Sequence, residues 1–118
     1  MVYNLSQPLK TTLRARYCTT FLCRLRGLTF RKPLPLDEGL LLIHDRESRV
    51  DTAIHMLGVR MNLTVVWINS ADKIVDVRLA RPWRLVYIPK QAARNVLELH
   101  ASRYNEFKVG DVLRFESI

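Results

Sequence analysis

Only two of the 118 residues are cysteine, four are glycine and three are histidine, and none of the first 36 is acidic. Each scarcity excludes something. Cys18 and Cys23 make no disulfide framework and fit a reducing compartment. Gly27, Gly39, Gly58 and Gly110 stand alone, so there is no glycine-rich phosphate loop. No apolar run approaches the roughly 18–20 residues that cross a bilayer. The N-terminus lacks the uninterrupted stretch of about 7–15 apolar residues that a secretory signal needs. A cytoplasmic protein without a membrane span is therefore expected. Three histidines and no close pair of carboxylates give glycosidase or metallohydrolase chemistry no foothold.

What is present is a chain that can build a core. It is 48% hydrophobic and 25% charged, with apolar residues spread along its length. Its size is that of one domain, 1–118, needing neither disulfide nor metal to bury a core. The net charge is +8, and it is uneven. Seven basic residues (Lys10, Arg14, Arg16, Arg24, Arg26, Arg31 and Lys32) precede the first acid, Asp37. Such a field favours anionic partners, here an anionic small molecule or nucleic acid.

The pattern is mostly one of short strands. Thr11–Ala15 alternates and reads as a first strand after a turn at Ser6-Gln7-Pro8. Thr19 or Thr20 caps a short helix to about Arg26, with Phe21, Leu25 and Leu28 on one face and Gly27 ending it. Arg31-Lys32-Pro33-Leu34-Pro35 is an extended loop. Gly39–Ile43 reads as a buried strand and Asp45–Asp51 as a charged loop. Thr52–Met56 is a strand. Leu63–Asn69 and Ile74–Leu79 form a hairpin across the turn Asn69-Ser70-Ala71-Asp72. Pro82 breaks the pairing, and Leu85–Ile88 is a further short strand. Ala92–Leu99 fits either helix or strand. Ser102–Phe107 makes one helical turn, and Gly110-Asp111 turns into a last strand, Val112–Phe115. Six to eight short strands with one or two short helices predict a β-rich α+β fold: a small barrel-like antiparallel or mixed sheet.

The stretch Ile54–Asn69 and four other blocks, in order, resemble the domain-of-unknown-function 192 family. They are Arg24-Leu25-Arg26-Gly27-Leu28-Thr29-Phe30-Arg31, His55–Trp67, Pro82-Trp83-Arg84, Val96-Leu97-Glu98-Leu99 and Gly110-Asp111. The likeness covers about residues 12–115 and tips Ala92–Leu99 toward a strand. By analogy with small cradle-loop barrels, it supports the barrel expectation. The family pattern has a carboxylate where Thr64 stands and a Lys-Asn pair where Leu57-Gly58 stands. That departure implies a binding or structural role, or a degenerate copy. The resemblance carries no activity.

Five residues are candidates for a ligand site. His55 and Arg60 line a small anion pocket, joined by Arg81 and Arg84. Trp83 lies between those two arginines with Tyr87 near, a mixture that stacks bases while holding phosphates. The packing alternative has His55 hydrogen-bonded in the interior, Trp83 capping the barrel, and Arg60 paired with Asp51 or Asp111. Cys18, Cys23, His44, His55 and His100 could ligate a metal, but their spacing matches no zinc site, and neither a metal nor another cofactor is expected. The expected function is a non-enzymatic binding module for an anionic ligand. One alternative is a small enzyme using His55 with Thr64 or Cys23. Another is an interaction domain whose dimer buries Leu57, Met61 and Trp83.

Overall fold

The computed structural model describes residues 1–20, 23–24, 34–56, 58–82 and 84–116. Most of the expected helix at 19–26, the Arg31-Lys32-Pro33 part of the loop, Leu57 and Trp83 lie outside these. The start of that helix is described. Cys23 and Arg24 are helical, and the Thr20 hydroxyl accepts the Cys23 amide at 3.1 Å, the cap expected of it.

Nine strands run through the described residues: β1 Val2–Asn4, β2 Arg14–Cys18, β3 Glu38–Ser48, β4 Ile54–His55, β5 Leu63–Ile68, β6 Ile74–Ala80, β7 Val86–Tyr87, β8 Ala93–His100 and β9 Leu113–Phe115. One 3-10 helix, Ala101–Glu106, follows β8. The main sheet has the order β2-β3-β8-β5-β6, and β1-β9 and β4-β7 are two-stranded. β2 pairs parallel with β3, and the other ladders are antiparallel. The fold is thus β-rich and its main sheet mixed. That sheet has two free ends, β2 and β6, so the barrel closure expected from the sequence is absent from these pairings.

β5 shows why the sheet has two covered faces. All six of its residues, Leu-Thr-Val-Val-Trp-Ile, are buried. Side chains alternate along a strand, so a strand with no exposed position lies between two cores. Leu63, Val65 and Trp67 join Leu40, Leu42 and Val96 in one apolar cluster. Val66 and Ile68 join Leu41, Leu97 and Leu99 in the other. Gly39 is required for the second packing, because a Cβ there would stand 2.6 Å from Leu99 Cδ2 and 3.2 Å from the Glu98 carbonyl.

The first face is roofed by the β4–β7 ribbon, which contributes Ile54, Met56, Val59 and Tyr87. The second is closed by the chain ends and the 3-10 helix, through Val2, Leu13, Phe107 and Leu113. There Arg103 is buried and engages Glu106 through Nε–Oε2 and Nη2–Oε1, both 3.0 Å. Its remaining donors reach the carbonyls of Thr11 (2.8 Å), Thr12 (3.2 Å) and Leu36 (2.7 Å). The Glu106 carboxylate also accepts the Lys10 amide at 3.0 Å. One ion pair therefore fastens two loops to the helix.

The two cysteines correct an expectation. Cys18 and Cys23 are joined as a disulfide. They do not share a helix: Cys18 ends β2, and Cys23 lies past the Thr20 cap, where the turn brings the two together.

Candidate functional site

The ribbon and the end of the β5–β6 hairpin gather most of the candidates. Ile54 lies opposite Tyr87, and His55 opposite Val86. Directly opposed residues of an antiparallel pair share a face. Ile54 and Tyr87 are buried against the sheet, whereas Val86 is exposed and His55 half-buried, with its Nδ1 out of solvent. The Met56 amide donates to the Leu85 carbonyl at 2.7 Å and continues the ladder. The Tyr87 hydroxyl accepts the Arg81 amide at 2.9 Å, and the Arg84 amide donates to the Arg81 carbonyl at 3.2 Å. The Arg84 guanidinium stands 4.7 Å from the centroid of the Tyr87 ring. Tyr87 therefore fixes the backbone at Arg81 through its hydroxyl and the side chain of Arg84 through its ring.

Leu63 pairs with Ala80, so the chain entering β5 and the chain leaving β6 emerge from the sheet side by side. That places Arg60 and Arg81 at the same end, and both are exposed, as is Arg84. The four ion pairs among the described residues are Arg46–Asp51, Arg78–Asp76, Arg103–Glu106 and Arg114–Glu116. None includes Arg60, Arg81 or Arg84. The carboxylates expected to hold Arg60 are engaged elsewhere. Asp51 faces Arg46 at 3.6 Å, and Asp111 accepts Asn4 (2.9 Å), Gln7 (3.0 Å) and the Lys108 amide (3.0 Å). Trp83 lies outside the described residues.

The catalytic grouping around His55 does not assemble. Thr64 lies on the face of the sheet opposite the ribbon, and its hydroxyl donates to the carbonyls of His100 (3.0 Å) and Ala101 (3.1 Å). It anchors the start of the 3-10 helix. Cys23 is tied to Cys18 and has no thiol to offer a base.

Besides Glu106, two buried acids escaped the sequence reading. Asp76 is buried, accepting the Lys90 amide at 3.0 Å and facing Arg78 at 3.4 Å. Glu98 pairs with Leu40 on one side and Val65 on the other, on the face under the ribbon. Burial there pushes its carboxyl up to about 7, and its Oε1 has no hydrogen-bond partner among the described residues. The Val-Leu-Glu-Leu run carried the signal: a charge with apolar neighbours on both sides has no wet face to turn to. His44, on β3, has its pKa lowered first by burial and then by the Arg24 charge.

The arrangement defines a β-rich domain on an open mixed sheet, with an arginine-lined end; Ser102 Oγ lies 2.8 Å from His100 Nδ1 at the start of the 3-10 helix. By sequence the chain belongs to the DUF192 family, "Uncharacterized ACR", whose model matches residues 4–115. A UPF0127 protein of Pyrococcus horikoshii is 34% identical over 98 residues, spanning 83% of this chain and 82% of its own. A crystal structure of a protein of unknown function from Novosphingobium aromaticivorans has a similar fold, at TM-score 0.79 and 19% identity. That match covers 97% of this chain and 81% of the other. Another, described as a putative transcription regulator from Sinorhizobium meliloti, matches at TM-score 0.81 and 20% identity, covering 96% and 88%. At such identities the two structures share the fold.

Proposed function

We propose that this single domain is a non-enzymatic binding module for an anionic ligand, held at the arginine-lined end of the β5–β6 hairpin. One observation carries the reading: Arg60, Arg81 and Arg84 are exposed at that end, outside every ion pair among the described residues. Arg103, by contrast, is buried against Glu106, and Arg49 and Arg94 donate to backbone carbonyls. The Arg84 guanidinium is also held over the Tyr87 ring, which lowers the ordering cost of gripping an anion. His55 borders the group across the β4–β7 ladder, and Trp83 lies between the two arginines in sequence.

Nucleic acid is the first anion to test, since a protein of similar fold is described as a putative transcription regulator. Fluorescence anisotropy with labelled single-stranded and duplex oligonucleotides at two salt concentrations measures it. Three phosphate contacts give a log–log salt slope of about −2 to −3. Arg81→Ala/Arg84→Ala should weaken binding at least tenfold and flatten that slope by about two. Absent binding at low salt, or binding indifferent to the double substitution, overturns the assignment for nucleic acid.

A further inference from the structure

The ribbon carries a second property beside its charge. Leu85, Val86 and Ile88 are 56%, 53% and 46% exposed, while Tyr87 and Pro89 between and beside them are buried. The alternation that seats Tyr87 against the sheet turns Val86 and Ile88 to solvent. Val50 is also exposed, and its neighbour Arg49 donates Nε to the Pro89 carbonyl at 3.0 Å. Along the chain that carries β7 the charge has one sign; Asp51, beside Val50, faces Arg46. From Val77 to Leu97 the chain carries Arg78, Arg81, Arg84, Lys90 and Arg94 and no acidic residue. Asp76, just before this stretch, is buried against Arg78.

We propose that this face of the ribbon docks on an anionic lipid surface. Leu85, Val86 and Ile88 enter the headgroup boundary, and Arg81, Arg84 and Lys90 meet the phosphates. Area decides against a protein partner. Three half-exposed aliphatic side chains offer a few hundred Å², against roughly 800 Å² per partner in a stable interface. The same patch suits shallow insertion into a bilayer boundary, where aliphatic and basic side chains act together. Each basic residue near an anionic leaflet strengthens partition about fivefold, and three give about a hundredfold preference over a neutral one. The proposal rests on the reading that Arg81 and Arg84 receive anions; the aliphatic contribution is independent of it.

The test is flotation of the full chain with phosphatidylglycerol–phosphatidylcholine vesicles and with pure phosphatidylcholine vesicles, beside the oligonucleotide titration. Wild type should float with the anionic vesicles and bind neutral ones at least tenfold more weakly. Leu85→Ser/Val86→Ser/Ile88→Ser should lose at least tenfold in vesicle binding while melting as wild type and keeping its oligonucleotide affinity. Arg81→Ala/Arg84→Ala should lose vesicle binding whatever it does to oligonucleotides. No flotation with anionic vesicles, equal flotation of the triple variant, or a solution dimer that hides the patch and leaves vesicles unbound overturns the proposal. Unchanged oligonucleotide affinity in the arginine variant overturns only the nucleic-acid reading above.

Discussion

Glu98 holds a carboxyl where β8 crosses the apolar middle of the sheet. Its pKa is raised by burial from 4.5 to about 7. Between these two values the unfolded chain has released the proton and the folded chain keeps it. Stability therefore falls as pH rises from about 4.5 to about 7, and the loss is complete above that. Glu98→Gln should remove this slope and gain up to about 3 kcal/mol above pH 7. Urea midpoints at pH 5 and pH 8 for both proteins check it; parallel pH dependence in the two would refute the assignment. Glu106 acts in the opposite sense. Burial alone would raise its pKa, but the Arg103 hydrogen bonds, the Lys10 amide and both positive charges outweigh it and hold it low. Its contribution is present above the ordinary carboxylate range and fades as pH falls through the lowered value. The two acids together place greatest stability in the mildly acidic range. The apolar neighbours of Glu98 carried a signal that the sequence reading missed, and its unpartnered oxygen has no local signal, since it depends on what packs over it.

Among the elements, those made by neighbours in sequence were the easiest to read. The β5–β6 hairpin forms as expected across Asn69–Asp72, with Asp72 in the left-handed region at φ 60 and the Asn69 side chain accepting the Ala71 and Lys73 amides. The 3-10 turn and the Gly110 turn, with φ 96, also stand where composition put them. Elements defined by distant partners did not. β1 exists because it pairs with β9, and three residues carry no pattern of their own. β3 runs on to Ser48 through residues expected to be loop, because Ser48 pairs with Ala93 past an irregularity after Ile43. The clamp at Arg103 is likewise long-range. Arg103→Ala should cost about 3–5 kcal/mol, since it leaves the Glu106 charge without its guanidinium. Denaturant unfolding measures this, and a change under about 1 kcal/mol would show the pair to be dispensable. The Cys18–Cys23 link closes a short loop at the end of β2 and should contribute about 2 kcal/mol. Comparing urea midpoints with and without reductant, and for Cys18→Ala/Cys23→Ala, tests that; identical midpoints would show that the link adds nothing.

At the scale of the molecule, short strands and a net charge of +8 indicated the β-rich class and the basic surface, but not the arrangement. Barrel and open sheet use strands of the same length and alternation; strand order separates them, and no local pattern encodes it. Nor does any local signal announce that β2 joins β3 in parallel across 19 residues of intervening chain (19–37). The order β2-β3-β8-β5-β6 also has a meaning in time. The central strand is the last of the five to be synthesised. Until His100 has left the ribosome, β3 and β5 have nothing between them, and the wholly apolar-walled β5 waits with one edge bare. At roughly 5–20 residues per second that wait lasts on the order of seconds. The nascent chain therefore spends its most adhesive interval with the strands of both halves present and the sheet not yet joined.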